Sequence, residues 1–303
     1  MPASKLKQLL SQLESVLLGK PEQIKLAVAC ILAKGHLLIE DLPGMGKTSL
    51  SQALATSLGM SYQRIQFTSD MLPADILGVS IYQQEQQAFT FHPGPIFNQM
   101  LLADEINRAS PKTQSALLEA MAERQITLDS TTHPLPKPFF VIATQNPIEQ
   151  SGTFPLPESQ LDRFMMRISI GYPNEQAELE MLKGLTTRSV TEPLSQCFTP
   201  SELISIQNQV QKVSASDAVL KYLINLAQFS REQADGNGLS PRASIALLDA
   251  AKAWAFLHHR NYVVPEDIQA VFHCVAEHRI RTNSQLQGQA LSDHILASVN
   301  PIS

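Results

Sequence analysis

The chain has 303 residues, 44% of them hydrophobic, which is enough for two domains with apolar cores. Its net charge of −5 at pH 7 argues against a general binder of nucleic acid. The longest apolar run, Leu26 to Ala33, is too short to span a bilayer, and the amphipathic segment Met1 to Lys20 lacks the features of a signal peptide. We therefore expect no membrane insertion. Its three cysteines are far apart and do not form a disulfide framework, so we expect a cytoplasmic protein.

Up to about residue 170, short apolar segments alternate with helix-like patterns, which is typical of a parallel sheet flanked by helices. Ser110-Pro111 predicts an N-cap followed by proline in the first turn of a helix that runs to about Glu123. The predicted strands are Leu37–Glu40, Tyr62–Phe67, Met100–Ala103, Phe139–Ala143 and Met165–Ile170.

Two further segments alternate apolar and polar residues around a polar turn, which predicts two β-hairpins. The first pairs Val79–Tyr82 with Ala88–Phe91 across the polar stretch Gln83–Gln87. The second joins Ile126–Leu128 to Ser130–His133. Such hairpins can be surface decorations or contacts for a partner, and the pattern alone does not separate the two.

After Gly171-Tyr172-Pro173-Asn174 the strand signals stop and only helical patterns follow. We therefore predict an α/β domain over residues 1–173 and an all-helical region over residues 174–303. Ser240-Pro241 and Pro265 mark two helix starts in this region. The predicted helices cover roughly residues 174–185, 200–212, 216–233, 241–258 and 265–280.

The segment after the first strand has the composition of a phosphate-binding loop. Backbone N–H groups of such a loop point at an anion, and the following helix dipole favours negative charge there. The general pattern has glycine where Asp41 stands, so the Asp41 carboxylate must point away from the phosphates. An ordinary glycine turn is the alternative. The loop residues are Pro43, Gly44, Met45, Gly46, Lys47, Thr48 and Ser49.

Polar residues follow two of the predicted strands, where ligands bind at the carboxyl edge of a parallel sheet. Asp104 is suited to the water shell of Mg²⁺, and Glu105 to orienting and deprotonating an attacking water. Asn146 is placed to hydrogen-bond a phosphate or that water. The alternatives are that the acidic pair is merely a polar strand end and that Asn146-Pro147 starts a turn.

Several short motifs occur in one order along the chain. They are Glu40–Thr48, Phe89–Phe97, Asp104–Ala109, Ala143–Pro147, Phe154–Glu158, Leu161–Phe164 and Ser240–Ala243. Together they strongly resemble the MoxR branch of the AAA+ ATPases over about residues 18–280. The resemblance implies an αβα nucleotide-binding domain with a parallel sheet, followed by a small helical lid.

The resemblance also implies roles for five residues in binding and hydrolysing ATP. Lys47 matches the lysine that contacts the β- and γ-phosphates, and Thr48 matches the Mg²⁺ ligand of the loop. Asp104 and Glu105 match the Mg²⁺ acid and the catalytic glutamate. Asn146 matches the first sensor.

Two arginines match positions that act on charge at the γ-phosphate. Arg163 matches the arginine finger, which in this family acts on the ATP of a neighbouring subunit. Arg242 matches the second sensor at the start of a lid helix. A salt bridge at a helix end is the alternative for Arg163, and a chance position near a helix start is the alternative for Arg242.

The resemblance implies an ATPase that uses ATP and Mg²⁺, assembles into a ring, expected to be a hexamer, and remodels a client protein, for example one with a von Willebrand A domain. The lid's position against the core would change through the ATP cycle. Other classes remain open: a nucleic-acid-translocating or chelatase-type ring motor, and a non-hydrolysing nucleotide-dependent scaffold. Nucleic acid is disfavoured, because Arg260, Arg279 and Arg281 are scattered among acids and give no basic tract.

Overall fold

A computed structural model describes residues 2–85, 87–146, 152–183, 194–233, 238–280 and 289–301. Several residues named in the sequence analysis lie outside these ranges: residue 86 in the turn of the first predicted hairpin, Pro147, residues 184–185 at the end of a predicted helix, and Arg281. The strands are β1 (Leu37–Glu40), β2 (Tyr62–Gln66), β3 (Gly78–Gln83), β4 (Ala88–Pro93), β5 (Met100–Asp104), β6 (Gln125–Leu128), β7 (Thr131–Pro134), β8 (Phe140–Gln145) and β9 (Met166–Ile168).

The central sheet has five parallel strands in the order β2-β5-β8-β1-β9, which confirms the predicted α/β architecture. All five predicted strands are present, and their ends differ from the predicted ones by at most two residues. Both predicted hairpins are also confirmed, because β3 pairs antiparallel with β4 and β6 with β7. Ser110 caps its helix as predicted, with its side chain accepting from the Thr113 N–H.

Helices flank the sheet and follow it. They are α1 (Pro2–Val16), α2 (Pro21–Leu32), α3 (Lys47–Ser57), α4 (Pro73–Leu77), α5 (Pro111–Glu123), α6 (Glu158–Leu161), α7 (Glu175–Leu182), α8 (Pro200–Gln211), α9 (Asp217–Gln233), α10 (Pro241–Leu257), α11 (Pro265–Ala276) and α12 (Gln289–Ser298). The sequence pattern did not indicate α12. None of the helices in the described ranges combines the length and apolar character that a membrane crossing needs.

Alternating strand residues place two apolar clusters on the two faces of the sheet. Leu38 belongs to the cluster that α5 covers, whereas Leu37 and Ile39 belong to the other. The cluster with Leu37 and Ile39 also contains buried residues of α1, α2 and the C-terminal helices, and α10 packs on α2. Because it draws residues from both sides of position 173, the division into two domains stays a prediction.

His36 stands just before β1 and joins two strands of the sheet from inside the core. It is 7% exposed, and its Nδ1 accepts a hydrogen bond from the Val141 N–H at 3.0 Å. Burial, with a smaller effect from the charge of Arg124, lowers the pKa of His36 from 6.5 to about 4. The folded protein therefore keeps this ring neutral at pH values where the unfolded chain protonates it.

We expect the free energy of unfolding to fall as pH drops from about 6.5 to about 4, because only the unfolded chain then binds the proton. The loss due to His36 between pH 7 and pH 5 should be about 2 kcal/mol. His36→Asn keeps an acceptor for Val141 and should flatten this dependence in urea unfolding at the two pH values. His92→Asn, at an exposed position, is the matched control. An unchanged pH dependence in His36→Asn would contradict the assignment.

Candidate active site

The loop between β1 and α3 has the backbone of an anion site. Gly44 and Gly46 both have φ of 85°, a conformation that favours glycine. Gly46 is the N-cap of α3 and no side chain caps the helix there, so the first N–H groups of α3 have no partner within the helix. A Cβ added at Gly44 would meet nothing within 4 Å, so the loop is open on that side. These features fit a bound phosphate.

Asp41 stands where the general loop pattern has glycine, and its carboxylate is turned to the end of β9. Oδ2 accepts hydrogen bonds from the N–H groups of Ile170 and Gly171, both at 2.7 Å. The Asp41 carbonyl oxygen accepts from Lys47 Nζ at 2.7 Å. The predicted orientation of this carboxylate is therefore confirmed. Lys47 is 8% exposed, and burial lowers its pKa.

Asn146 connects the lysine of the loop to the acidic pair. Its Oδ1 lies 3.4 Å from Lys47 Nζ, and its Nδ2 donates to Glu105 Oε1 at 3.0 Å. Lys47 follows β1, Glu105 follows β5 and Asn146 follows β8, and these three strands are neighbours in the sheet. Asn146 is 4% exposed, so these contacts satisfy a buried amide. The structure thus brings Lys47, Glu105 and Asn146 together.

Thr144, on β8, orients both acids. Its hydroxyl donates to Asp104 Oδ1 at 2.6 Å and accepts from the Glu105 N–H at 2.8 Å. Glu105 has φ of 56°, so the chain turns sharply between the two carboxylates. One hydroxyl therefore fixes the direction of Asp104 and the backbone of Glu105.

Three further residues contact the acids, and the sequence analysis missed them. Arg64 donates to Asp104 Oδ2 at 2.7 Å, and Gln66 donates to Glu105 Oε2 at 2.9 Å. Arg108 Nε lies 3.0 Å from the same Glu105 oxygen. Arg64 and Gln66 alternate on β2, whose position beside β5 is a long-range feature without a local signal. Arg108 was visible in the sequence, three residues after Glu105, but no role was assigned to it.

The donors near the loop fit Mg²⁺, which is usually bound through one or two carboxylates, water and substrate phosphates. Asp104 is 7% exposed, and Thr48 is half-buried in the first turn of α3. Within the described ranges, no group of three or more His, Cys, Asp or Glu residues could hold a metal. Asp104 and Thr48 are hard oxygen donors of the kind that Mg²⁺ prefers.

Arg163 lies away from this cluster. It follows α6 and comes three residues before β9, and its Nη1 donates to the Leu118 carbonyl oxygen at 2.7 Å. Leu37 pairs with Met166 in parallel, so the start of β9 lies at the amino edge of the sheet. The two edges are separated by the length of a strand, roughly 10 Å for four residues. Arg163 makes no ion pair within the described residues, so the salt-bridge alternative finds no support there.

Arg242, near the start of α10, lies beside the segment that carries Arg163. Its Nη1 is 3.7 Å from Asp162 Oδ2, and its side chain is 70% exposed. It makes no hydrogen bond or ion pair with Lys47, Glu105 or the other described residues of the cluster. The structure therefore groups the two arginines with each other and apart from the acids.

The parallel sheet, the glycine loop after β1, the acids after β5 and the helices after β9 define the class of AAA+ ATPases. The family model "ATPase family associated with various cellular activities (AAA)" matches residues 36–166, and the model "AAA lid domain" matches residues 232–298. A solved structure of a candidate ATPase from Cytophaga hutchinsonii superimposes with a TM-score of 0.88 at 38% identity, covering 98% of this chain and 95% of that one.

Sequence identity to individual proteins identifies one family within the AAA+ ATPases. The chain is 37% identical to Chaperone MoxR1 of Mycobacterium tuberculosis over 301 residues, which are 96% of this chain and 78% of that protein. It is 46% identical to YeaC of Bacillus subtilis over 290 residues, 94% of this chain and 91% of that protein. The chain belongs to the MoxR family of AAA+ ATPases. The predicted family, AAA+ fold and helical lid are therefore confirmed.

We expect Thr144→Val to lower ATP turnover about 10- to 100-fold, because it removes the hydroxyl that orients both acids and keeps a similar shape. Thr144→Ser retains the hydroxyl and is the matched control. Turnover measured against Mg²⁺ concentration, with the unfolding free energy measured in parallel, separates a site defect from a loss of fold. Turnover within twofold of the unsubstituted protein in Thr144→Val would contradict this role.

Proposed function

We propose that this protein hydrolyses ATP at sites shared between subunits of a ring, a hexamer in our proposal, in which Arg163 of one subunit completes the site of the next. The observation that carries the proposal is the position of Arg163. Lys47, Glu105 and Asn146 meet at the carboxyl edge of the sheet, whereas Arg163 is at the amino edge. For a subunit to use its own Arg163, this side chain would have to leave the Leu118 carbonyl oxygen and cross to the opposite edge of the sheet.

In the proposed reaction the loop Pro43–Ser49 and Lys47 bind the phosphates. Bound Mg²⁺, held by Thr48 and Asp104, would neutralise charge on the phosphate oxygens. Glu105 takes a proton from a water whose oxygen attacks the γ-phosphorus, and the bond from that phosphorus to the β–γ bridging oxygen breaks to give ADP and phosphate. Asn146 contacts both Lys47 and Glu105, which supports a role in hydrogen-bonding the γ-phosphate or this water.

A guanidinium from the next subunit would stabilise the charge of the transferring phosphoryl group, which is worth about 10³–10⁵ in rate where it has been measured. Arg242 lies beside Asp162, so it would be presented to the same neighbouring site as Arg163. This placement supports a role for Arg242 at the shared interface rather than above the loop of its own subunit.

The work done by the ring is, in our proposal, the remodelling of a client protein. One relative carries the name chaperone, and the MoxR resemblance suggests a client with a von Willebrand A domain. The hairpin β3–β4 offers a contact surface, because Val79, Ile81, Tyr82 and Phe89 are exposed and Phe89 is 71% exposed. The rings of Tyr82 and Phe89 pack against each other with their centroids 5.3 Å apart, so they form one exposed apolar tip.

We expect turnover per subunit to rise steeply with protein concentration, because assembly completes each site. Glu105→Gln should abolish turnover, and Arg163→Ala should lower it about 10³-fold or more, with ATP binding retained in both. The measurement is steady-state phosphate release, with particle mass determined at each concentration. Full turnover by a monomeric particle, or by Arg163→Ala, would contradict the shared site. ATP binding without turnover would instead favour the scaffold, and stimulation by DNA the translocating motor.

We expect the double variant Tyr82→Ser, Phe89→Ser to keep basal turnover within twofold, because the hairpin tip lies outside the catalytic cluster. Stimulation of turnover by a client with a von Willebrand A domain should be lost. The matched control is Thr127→Ala, Thr132→Ala, on the other hairpin, whose hydroxyls contact each other at 3.1 Å. Unchanged stimulation in the aromatic variant would contradict client contact through β3–β4.

A further inference from the structure

Three consecutive residues after α11, Glu277, His278 and Arg279, contact the core on both sides of β9; we call them the lid turn. The sequence pattern predicted a helix up to residue 280, but α11 ends at Ala276. The residues beyond it turn to the sheet, and their side chains supply polar contacts that cross from the lid to the core.

Arg279 holds the backbone on both sides of Arg163. Its Nε donates to Asp162 Oδ1 at 2.7 Å, and its Nη2 and Nη1 donate to the carbonyl oxygens of Phe164 at 2.6 Å and Met165 at 3.0 Å. The side chain is 4% exposed. A buried guanidinium with this many partners moves only together with the segment it binds.

Arg163 has much less support of its own. Its hydrogen bond to the Leu118 carbonyl oxygen comes from the guanidinium that would have to leave for another subunit's ATP. Once that bond opens, the direction of the side chain depends on the backbone from Asp162 to Met165, which Arg279 holds. His278 adds to this hold, with Nε2 at 3.0 Å from the Phe164 carbonyl oxygen.

The other end of the lid turn leads to the phosphate loop. Glu277 Oε2 lies 3.2 Å from Arg167 on β9, and Arg167 donates to Glu40 Oε2 on β1 at 2.8 Å. Glu40 directly precedes Asp41, whose carbonyl oxygen accepts from Lys47. A continuous chain of contacts therefore joins the lysine of the loop to the lid turn.

We propose that the lid turn couples the phosphate loop of a subunit to its own Arg163, and that Arg279 is the residue that positions this arginine for the neighbouring site. The inference rests on the proposed shared site. A shift of the lid against the core would change the contacts at both ends of the lid turn together. Each subunit would then present Arg163 according to the state of its own loop, which would order hydrolysis around a ring.

The test uses mixed assemblies of two variants. Glu105→Gln subunits cannot hydrolyse ATP but still offer Arg163, so they act as donors. Arg163→Ala subunits have intact acids but no finger, so they act as acceptors. Turnover in the mixture then arises only where a donor adjoins an acceptor. Arg279→Gln is placed in the donor in one mixture and in the acceptor in another.

We expect Arg279→Gln to lower turnover at least tenfold when it is in the donor, with the KM for ATP unchanged. In the acceptor, Arg279→Gln should change turnover less than twofold. The contacts from the lid turn to the acceptor's own phosphate loop run through Glu277 and do not involve Arg279. Arg279→Lys in the donor should restore part of the rate. Arg260→Gln in the donor is the matched control, because Arg260 pairs with the buried Asp267 inside the lid.

Equal losses in donor and acceptor would show a structural role and overturn the inference, as would no loss in either. If the plain mixture of Glu105→Gln and Arg163→Ala has no turnover, the proposed shared site itself fails. Particle mass and unfolding free energy are measured for every variant. Where Arg279→Gln does not assemble, Asp162→Asn in the donor removes the same ion pair and must give the same asymmetry.

Discussion

The parallel alignment of the five strands is the constraint on which this active site depends. It brings the ends of β1, β5 and β8 to one edge, so that Lys47, Glu105 and Asn146 touch although they are far apart in the chain. The same alignment sends the start of β9, and with it Arg163, to the other edge. Arg163 is therefore held at the edge of the sheet opposite to the acids. This position is the reason to propose that Arg163 acts in the site of a neighbouring subunit.

The lid is attached to the core both by apolar packing and by polar contacts. The C-terminal helices share a continuous apolar cluster with α1 and α2, which stabilises them without directional contacts. The polar contacts between the C-terminal helices and the core include those of the lid turn, where Glu277 and Arg279 meet the core. Burial makes these pairs costly to separate, because a charge left without a partner inside the protein is strongly unfavourable. A shift of the lid would have to move or break the contacts of the lid turn on the two sides of β9.

Local signals in the sequence were sufficient for the strands, both hairpins, the glycine loop and the direction of the Asp41 carboxylate. Strand order is a long-range property, so the contact of Arg64 with Asp104 could not be predicted from the sequence. No local pattern marks Arg279 as a contact residue, because its partner Asp162 is 117 residues earlier in the chain. The prediction of a helix to residue 280 was wrong at its end, because residues 277–279 make long-range contacts with the core that no local pattern indicates.

A cryo-electron microscopy structure of the Glu105→Gln protein assembled with ATP and Mg²⁺ tests the shared site most directly. This substitution should retain bound ATP by removing the carboxylate that accepts the proton of water. We expect the Arg163 guanidinium to lie about 3 Å from the γ-phosphate bound to Lys47 of the adjacent subunit. A structure in which every Arg163 stays on its own Leu118 carbonyl, with no arginine from a neighbour at the phosphate, would contradict the shared site.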